Sequence, residues 1–349
     1  MAVVFTEGFD YYNGVGTMTS TTVGAATRWN YASGSMVAGR FGGQAYSLPT
    51  ASNVLIYARL PASYNSGCVG FAFNGTGGNS NNSYAIFGVS SAGPGNTNFA
   101  GSLAQFRLNI NTAGQVQILR GTTILATSTA SIIFNVWNYI EVEFVISATV
   151  GEVRVYLNSD PIPAINISGI NNKNETASGF EYIIFGAVPG TNGSFDDVYV
   201  TDTPTRLGEQ RVVTSYPTSD VLTAFWSSST GGAAPYTMID ETTCDADVTY
   251  VSSNTFNSRL VVGMPTLPVV PINVNAVQIV GFARKDETQF RQLALEYENT
   301  AGAVSTGASY TLGGSYTRMQ NLYIENPLTA APWTATDVNS MKIGARVIS

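Results

Sequence analysis

The sequence predicts an all-β protein made of two β-sandwich (jelly-roll-like) domains, with one short helix near the C-terminus. Three observations lead to this prediction. Apolar and polar residues alternate with a period of two along much of the chain, as they do in half-buried strands. The chain has 35 glycines among many serines, threonines and asparagines, and only 11% of its residues are charged, which indicates short strands joined by polar turns. At 349 residues it is long enough for two domains.

The clearest strand signal lies at residues 137–146. One face of this segment is apolar and the other polar: Ile140, Val142, Phe144 and Ile146 against Tyr139, Glu141 and Glu143. We expect the apolar face to pack in a core and the polar face to meet solvent. After a short turn, residues 152–158 alternate in the same way, so the two segments predict an antiparallel hairpin with Arg154 near Glu143 across the ladder.

The same alternation marks the other strands of the first half. It occurs at residues 85–89, 105–110, 115–119, 180–186 and 195–200. We expect the last of these to return the chain to the sheet beside the N-terminal segment. The alternation stops in a polar stretch around Pro204. The prediction is therefore a first domain over residues 1–203, a linker over 204–210 and a second domain over 211–349.

The second half repeats the strand pattern and adds one helix. Strand signals occur at residues 211–214, 274–282, 292–297, 319–324 and 341–348. They predict another β-sandwich. The helix is predicted over residues 334–341, where Thr334 can cap the first turn and Asp337 lies within it.

Composition excludes several classes of function. A net charge of −7, from 16 basic and 23 acidic residues, disfavours a nucleic-acid partner. No long apolar run is present, and no basic segment precedes an apolar one at the N-terminus, so we expect neither membrane insertion nor secretion. The chain has no histidine, the commonest general base and metal ligand, so we predict no catalytic residue and no cofactor. Cys68 and Cys244 are predicted to be separate reduced thiols.

Two groups of segments carry a resemblance to a known family. The opening Glu7-Gly8-Phe9-Asp10-Tyr11-Tyr12, with residues 137–146, 151–158 and 195–200, resembles the concanavalin A-like (laminin-G-like) jelly-roll sandwich over residues 1–203. A version with this N-terminus resembles one found in structural proteins of tailed bacteriophages. The second half resembles the region C-terminal to that sandwich in those phage proteins. The segments concerned are residues 211–214, 240–241, 249–252, 283–286 and 333–338.

Glu141 and Glu143 are the first candidate site. Carboxylates two apart on a strand share a face, an arrangement that a retaining glycosidase on this sandwich could use. Hydrolases of that kind carry a denser acidic motif with an intervening Asp, whereas here the intervening residue is Val142. We therefore favour a solvated strand face paired with Arg154.

Asp196 and Asp197 are weak candidates for a metal site. With Asn192 and Asp160 they could offer oxygen ligands to calcium. Calcium needs six or more oxygens, and the sequence has no contiguous acidic loop with suitable spacing. Turn capping and hydrogen bonding by the two aspartates is the preferred interpretation, and no other metal site is predicted.

The densest acidic stretch is Asp240–Asp247, which could bind a cation or a basic patch on a neighbouring subunit. We favour a solvated loop. Cys244 lies inside this stretch, and the flanking acids make it a poor nucleophile.

Two further patterns concern sugars. Five tyrosines could form a sugar-stacking platform or could simply be at home on strands: Tyr11, Tyr12, Tyr46, Tyr64 and Tyr84. The Asn-x-Ser/Thr triplets are interpreted as chance in so Asn-rich a chain: Asn74, Asn166, Asn174 and Asn192 among others.

The resemblance and the missing catalytic residues lead to one functional prediction. We expect a non-enzymatic structural component on the exterior of a tailed-phage virion, assembled in the host cytoplasm and associated with the tail or its fibres. A capsid-surface decoration (cement) protein is the alternative, and a lectin-like carbohydrate-binding module or glycoside hydrolase ranks below it. The expected partners are other virion proteins, further copies of the chain in a homo-oligomer such as a trimer, and a host surface glycan. No nucleic acid or membrane partner is expected.

Overall fold

The computed structural model describes most of the chain. The described residues are 1–12, 17–18, 28–30, 32, 34–48, 54–76, 84–93, 104–177, 179–187, 193–242 and 244–349. They form two compact units, Met1–Val212 and Val213–Ser349. Antiparallel strands make up nearly all the regular structure of both units, and the one α-helix in the described residues lies near the C-terminus, so the predicted all-β fold class is confirmed.

The first unit contains fifteen strands in its described residues. They are β1 (Val3–Glu7), β2 (Thr17–Met18), β3 (Gly34–Ala38), β4 (Gln44–Leu48), β5 (Val54–Tyr64), β6 (Ser66–Gly75), β7 (Tyr84–Ser90), β8 (Phe106–Ile110), β9 (Gln115–Arg120), β10 (Thr123–Ser131), β11 (Asn138–Val145), β12 (Gly151–Leu157), β13 (Ile165–Ile170), β14 (Phe180–Ala187) and β15 (Gly193–Thr201). A nine-stranded sheet has the order β13-β12-β11-β6-β15-β4-β3-β2, with β1 also paired to β15. A six-stranded sheet has the order β10-β9-β8-β7-β14-β5.

The core of the first unit lies between these two sheets. Phenylalanine rings from both sheets meet there: Phe71 and Phe185 have centroids 5.1 Å apart, and Phe185 and Phe195 4.9 Å apart. All three are fully buried. Burying a phenylalanine side chain contributes roughly 1.5–3 kcal/mol, so these rings fix the two sheets face to face.

The predicted hairpin is confirmed. Strands β11 and β12 are antiparallel neighbours, with Glu143 opposite Arg154, and their charged atoms are 3.7 Å apart. The predicted return of residues 195–200 to the N-terminal segment is also confirmed, because β15 pairs with β1. The expectation that the polar face of β11 meets solvent is wrong. The residues of that face are at most 7% exposed: Tyr139, Glu141 and Glu143.

The second unit contains nine strands and one α-helix in its described residues. They are β16 (Ser219–Leu222), β17 (Ser227–Ser228), β18 (Val251–Ser252), β19 (Arg259–Gly263), β20 (Val277–Ala283), β21 (Gln292–Glu298), β22 (Val304–Thr311), β23 (Thr317–Tyr323), β24 (Lys342–Val347) and α1 (Ala335–Asn339). A five-stranded sheet has the order β16-β19-β24-β21-β22, and β17–β18 and β20–β23 form two-stranded sheets. The core of the second unit includes Leu295, Tyr297 and Trp333.

Two local predictions for the second half have different outcomes. The helix cap is confirmed, because the Thr334 hydroxyl accepts the Asp337 amide and the Asp337 carboxylate accepts the Thr334 amide. The strand predicted at residues 211–214 is absent, although all four residues are described. The amide of Val212 donates to a side-chain carboxylate instead of to a neighbouring strand. No helix in the described part of the chain is long and apolar enough to cross a bilayer.

Candidate functional site

The two glutamates of β11 lie under a segment of the same unit. Residues 204–212, which we call the clasp, cross the outer face of the nine-stranded sheet. The backbone amide of Arg206 donates to Glu143 Oε1 at 2.9 Å, and that of Gly208 donates to Glu141 Oε1 at 2.8 Å. This explains why the polar face of β11 is buried: the clasp replaces solvent as its hydrogen-bonding partner.

A tyrosine on the neighbouring part of the sheet completes the network around Glu141. The Tyr199 hydroxyl donates to Glu141 Oε1 at 2.5 Å and accepts the amide of Leu207 at 3.0 Å. The Cys68 sulfur lies 3.5 Å from the same hydroxyl oxygen. Glu141 Oε2 faces the Arg206 guanidinium at 3.6 Å. Both carboxylate oxygens of this buried glutamate therefore have partners within the protein.

Burial dominates the electrostatics of this network. It raises the pKa of Glu141 above its usual range, although the Tyr199 hydroxyl and Arg206 oppose that rise by stabilising the carboxylate. It also raises the pKa of the Cys68 thiol and of the Tyr199 hydroxyl. Cys68 therefore stays a thiol and is a poor nucleophile. It is free, as is the exposed Cys244, so the prediction of two separate thiols is confirmed.

The chemistry open to the two glutamates depends on this geometry. In a retaining glycosidase, one carboxyl group needs a raised pKa to act as the general acid. The second carboxyl group has to face the reacting carbon of the sugar. Glu141 is instead held by Tyr199, Gly208 and Arg206, and Glu143 by the Arg206 amide and Arg154. The clasp also occupies the face on which a substrate would lie. The arrangement fits anchoring of the clasp better than catalysis.

Asp197 anchors the far end of the clasp, and Asp196 lies beside it on β15. They sit in a β-bulge of β15, where Asp197 has a positive φ of 50°. Asp196 accepts the amides of Arg40 and Asp197 at 2.8 Å each, and Asp197 Oδ1 accepts the Val212 amide at 2.7 Å. The Arg40 guanidinium lies 3.5 Å from Asp197 Oδ2. The two aspartates thus act as hydrogen-bond acceptors, which is the role that the sequence analysis preferred for them.

The same two carboxyls have strongly raised pKa values. Burial, and for Asp196 the neighbouring charge of Asp197, raise the pKa of Asp196 to about 8; burial raises that of Asp197 to about 6. Asp160, the other described member of the proposed calcium set, accepts the Ile162 amide in a separate turn; Asn192 is outside the described residues. Among the described residues, no group of three or more Asp, Glu, Cys or His side chains is arranged to hold a metal.

The acidic stretch of the second unit is a hydrogen-bonded loop. The Thr249 hydroxyl contacts both Glu241 and Asp245. Asp247 lies 2.9 Å from the Arg284 guanidinium and accepts the Tyr316 hydroxyl at 2.9 Å. These contacts match the interpretation of the stretch as a loop rather than as a cation site. Burial and nearby acids raise the pKa of Cys244, in keeping with its predicted low reactivity.

The five tyrosines suggested by the sequence do not form a sugar-stacking platform in the described residues. Tyr46 and Tyr12 are buried in the core, and Tyr11 bonds to the Tyr12 hydroxyl and to Glu7. Tyr64 packs against Phe180. The side chain of Tyr84 is outside the described residues. Successive side chains along a strand point to opposite faces, so sequence alone could not establish that these five tyrosines share one face.

The sequence analysis does not identify another aromatic pair that the structure brings together. Tyr57 of β5 and Tyr182 of β14 lie edge to face, with ring centroids 5.9 Å apart, on the outer face of the six-stranded sheet. Three largely buried polar side chains share that face on β8 and β9: Arg107, Asn109 and Gln117. The alternation in residues 105–110 and 115–119 indicates that these polar side chains share a face, but strand order decides that Tyr57 and Tyr182 lie on the same face of the sheet.

No protein-family model matches the chain, and no curated protein is similar in sequence. Several solved structures resemble part of it. The cellulose-induced protein Cip1 is 12% identical, with a TM-score of 0.38, over 51% of this chain and 88% of its own. The alginate lyase vAL-1 from a Chlorella virus is 13% identical, with a TM-score of 0.37, over 50% and 93%. Lectin II from Ulex europaeus is 12% identical, with a TM-score of 0.33, over 48% and 90%.

The strands of the described residues define the chain as an all-β protein. At these TM-scores and identities the likeness to the solved structures transfers neither a family nor an activity to the chain.

Proposed function

We propose that this protein is a non-enzymatic structural component on the exterior of a tailed-phage particle, associated with the tail or its fibres. The observation that supports the non-enzymatic part is the clasp. Glu141 and Glu143, the acids best placed for glycosidase chemistry on the sandwich, accept backbone amides of residues 204–212. The particle assignment is supported by the sequence resemblance over both halves of the chain.

Host-surface binding belongs to the same proposal. The outer face of the six-stranded sheet carries the Tyr57–Tyr182 pair, and both tyrosines are half-buried. Saccharides are bound by such aromatic side chains, because the sugar ring packs on an aromatic face. A glycan of the host surface is therefore the proposed ligand class.

A capsid-surface decoration protein is the second candidate, and one observation favours it. Exposed large apolar side chains are concentrated in the second unit, where Phe225, Phe256 and Ile272 are 71%, 71% and 98% exposed. A decoration protein needs an apolar contact surface of this kind to bind a lattice of capsid subunits.

The copy number of the protein per purified particle separates these roles. It is measured by quantitative mass spectrometry against the major capsid protein. About three to eighteen copies, as symmetric tail assemblies contain, would support the tail or fibre role. Hundreds of copies would support decoration instead. Absence from purified particles, with abundance in the lysate, would overturn the virion proposal.

The glycan part has its own test. Binding of the full-length protein to polysaccharide purified from the host surface is measured by calorimetry, together with release of reducing sugar. Tyr57→Ala and Tyr182→Ala should each weaken binding about tenfold, since a sugar stacked on the ring loses its apolar contact. Tyr250→Ala, at a 40% exposed tyrosine of the second unit, is the matched control. Equal binding by all variants would refute the glycan surface, and sugar release would refute the non-enzymatic assignment.

A further inference from the structure

The last four residues of the clasp, 209–212, which we call the clasp end, contact a cluster of acidic side chains. Asp196 and Asp197 are adjacent on β15, and they are only 4% and 2% exposed. The charge of Asp10 acts on both of them. Glu209 of the clasp end pairs with Arg40, which also faces Asp197. Four carboxyl groups therefore belong to this cluster together with the one guanidinium of Arg40.

One of these carboxyl groups fixes the clasp end. Asp197 Oδ1 accepts the amide of Val212 at 2.7 Å, and Val212 is the last residue of the first unit. The Arg40 guanidinium donates to the carbonyl oxygen of Gln210 at 3.4 Å. Asp196 accepts the backbone amide of Arg40 at 2.8 Å and so holds the start of that side chain in place. The path by which the chain leaves the first unit therefore depends on the two aspartates and Arg40.

Two further groups face this cluster from other elements. The Tyr139 hydroxyl of β11 donates to the backbone carbonyl of Asp197 at 3.2 Å, and burial raises its pKa, so it stays neutral. The guanidinium of the exposed Arg211 lies 4.7 Å from the ring centroid of Phe41, and that of Arg40 lies 4.6 Å from the same centroid. Arg40 is the cation that contacts Asp197 itself, and its single charge can balance only one ionised carboxyl of the pair.

Two adjacent buried carboxyl groups cannot both ionise without cost. Burial disfavours the charged form, and a like charge on the neighbouring residue disfavours it further. Water removes both costs, because a solvated carboxylate is stable at its ordinary pKa. As the pH rises and the second proton leaves, the covered arrangement loses stability relative to one in which water reaches the pair. The raised pKa of Asp196, about 8, places the loss of that proton just above neutral pH.

We propose that loss of the second proton from the Asp196–Asp197 pair releases the clasp end from the first unit. The cluster is then a pH-sensitive anchor at the point where the chain leaves this unit: closed while the pair holds a proton, and open when both carboxyls are ionised. The earlier part of the clasp stays bound, because Arg206 and Gly208 donate to the separate glutamates of β11. The inference does not rest on the particle assignment.

Trypsin cleavage of the native full-length protein tests this release, since the bond between Arg211 and Val212 lies in the clasp end. Cleavage tracks the population of the open form when opening and closing are fast. The rate is measured at pH 7 and pH 9 by mass spectrometry. It is divided by the rate for a synthetic peptide of residues 204–216, which removes the pH dependence of the protease. The wild-type ratio should rise about tenfold, because Asp196 has a pKa of about 8 when covered and an ordinary one in water.

Three variants separate the pair from other acids. Asp196→Asn removes the proton that is lost in this range, so its ratio should stay constant within about twofold. Asp10→Asn keeps an oxygen to accept the Gln44 amide, and it should reduce the rise because one facing charge is gone; it also serves if Asp196→Asn does not fold. Asp220→Asn is the matched control, since this exposed carboxyl lies in the second unit and the full rise should remain.

A second cleavage site distinguishes local release from unfolding of the whole unit. Arg154 lies inside β12, so trypsin can cut after it only when that part of the sheet opens. Cleavage after Arg154 should stay slow at both pH values. The proposal fails if the wild-type ratio at Arg211 is the same at pH 7 and pH 9, or if the full rise persists in both Asp196→Asn and Asp10→Asn. It also fails if cleavage after Arg154 rises in parallel, because the change is then unfolding of the unit.

Discussion

Removing the Glu141 carboxylate tests whether the clasp depends on it. Glu141→Ala leaves the Tyr199 hydroxyl and the Gly208 amide without their acceptor and leaves Arg206 without its buried counter-charge. Each orphaned group costs about 1–3 kcal/mol. Breaking a buried pair by removing one partner costs about 3–5 kcal/mol, which we take as the expected loss in the free energy of unfolding. Glu141→Gln keeps one acceptor oxygen, so it should cost less.

The assay is denaturant unfolding of the full-length protein, followed by tryptophan fluorescence, with hydrogen exchange of residues 204–212 as the local readout. The control is Glu152→Ala on β12, whose carboxylate is 38% exposed in a surface pair with Arg154 and should change stability by less than about 0.5 kcal/mol. If Glu141→Ala were as mild as Glu152→Ala, and amide exchange in the clasp were unchanged, the anchoring role would be refuted.

Three further predictions concern other parts of the molecule. Asp196 and Asp197 have folded-state pKa values of about 8 and about 6, above the ordinary 3.8, so the folded state binds protons more tightly than the unfolded one. Their stabilising contribution is therefore complete below about pH 4 and is lost as the pH rises to 8. Asp196→Asn should reduce this dependence of the free energy of unfolding on pH, measured by denaturant unfolding at several pH values. Glu296→Ala should destabilise the second unit by about 3–5 kcal/mol in the same denaturant assay, because this buried carboxylate holds two arginines at 2.6 and 2.8 Å. In native protein a thiol reagent should modify Cys244 and reach Cys68 only after unfolding.

The predictions from sequence that held are those that depend on neighbours along the chain. Alternation in residues 137–146 and 152–158 fixes which side chains face the core, and a short turn then sets the register that places Glu143 opposite Arg154. The helix cap depends on two residues three apart, Thr334 and Asp337. The boundary at residues 204–210 stays a prediction of sequence composition, and the structure describes these residues within the first compact unit.

The candidate site shows where such reasoning stops. Glu141 and Glu143 could be found from the sequence, because their spacing puts them on one face. Their environment could not, since the amide that binds Glu141 belongs to a residue 67 positions away. A polar strand face looks the same in sequence whether water or another segment covers it.

The sequence by itself determined the all-β class, the β11–β12 hairpin and the capped helix, because alternation with a period of two and helix capping depend only on residues close together in the chain. Only the tertiary structure decided that the polar face of β11 is buried and that Tyr57 and Tyr182 meet on one sheet. Those outcomes depend on strand order and on the path of a segment without regular structure. Both are set by packing between residues distant in sequence, which no local pattern specifies.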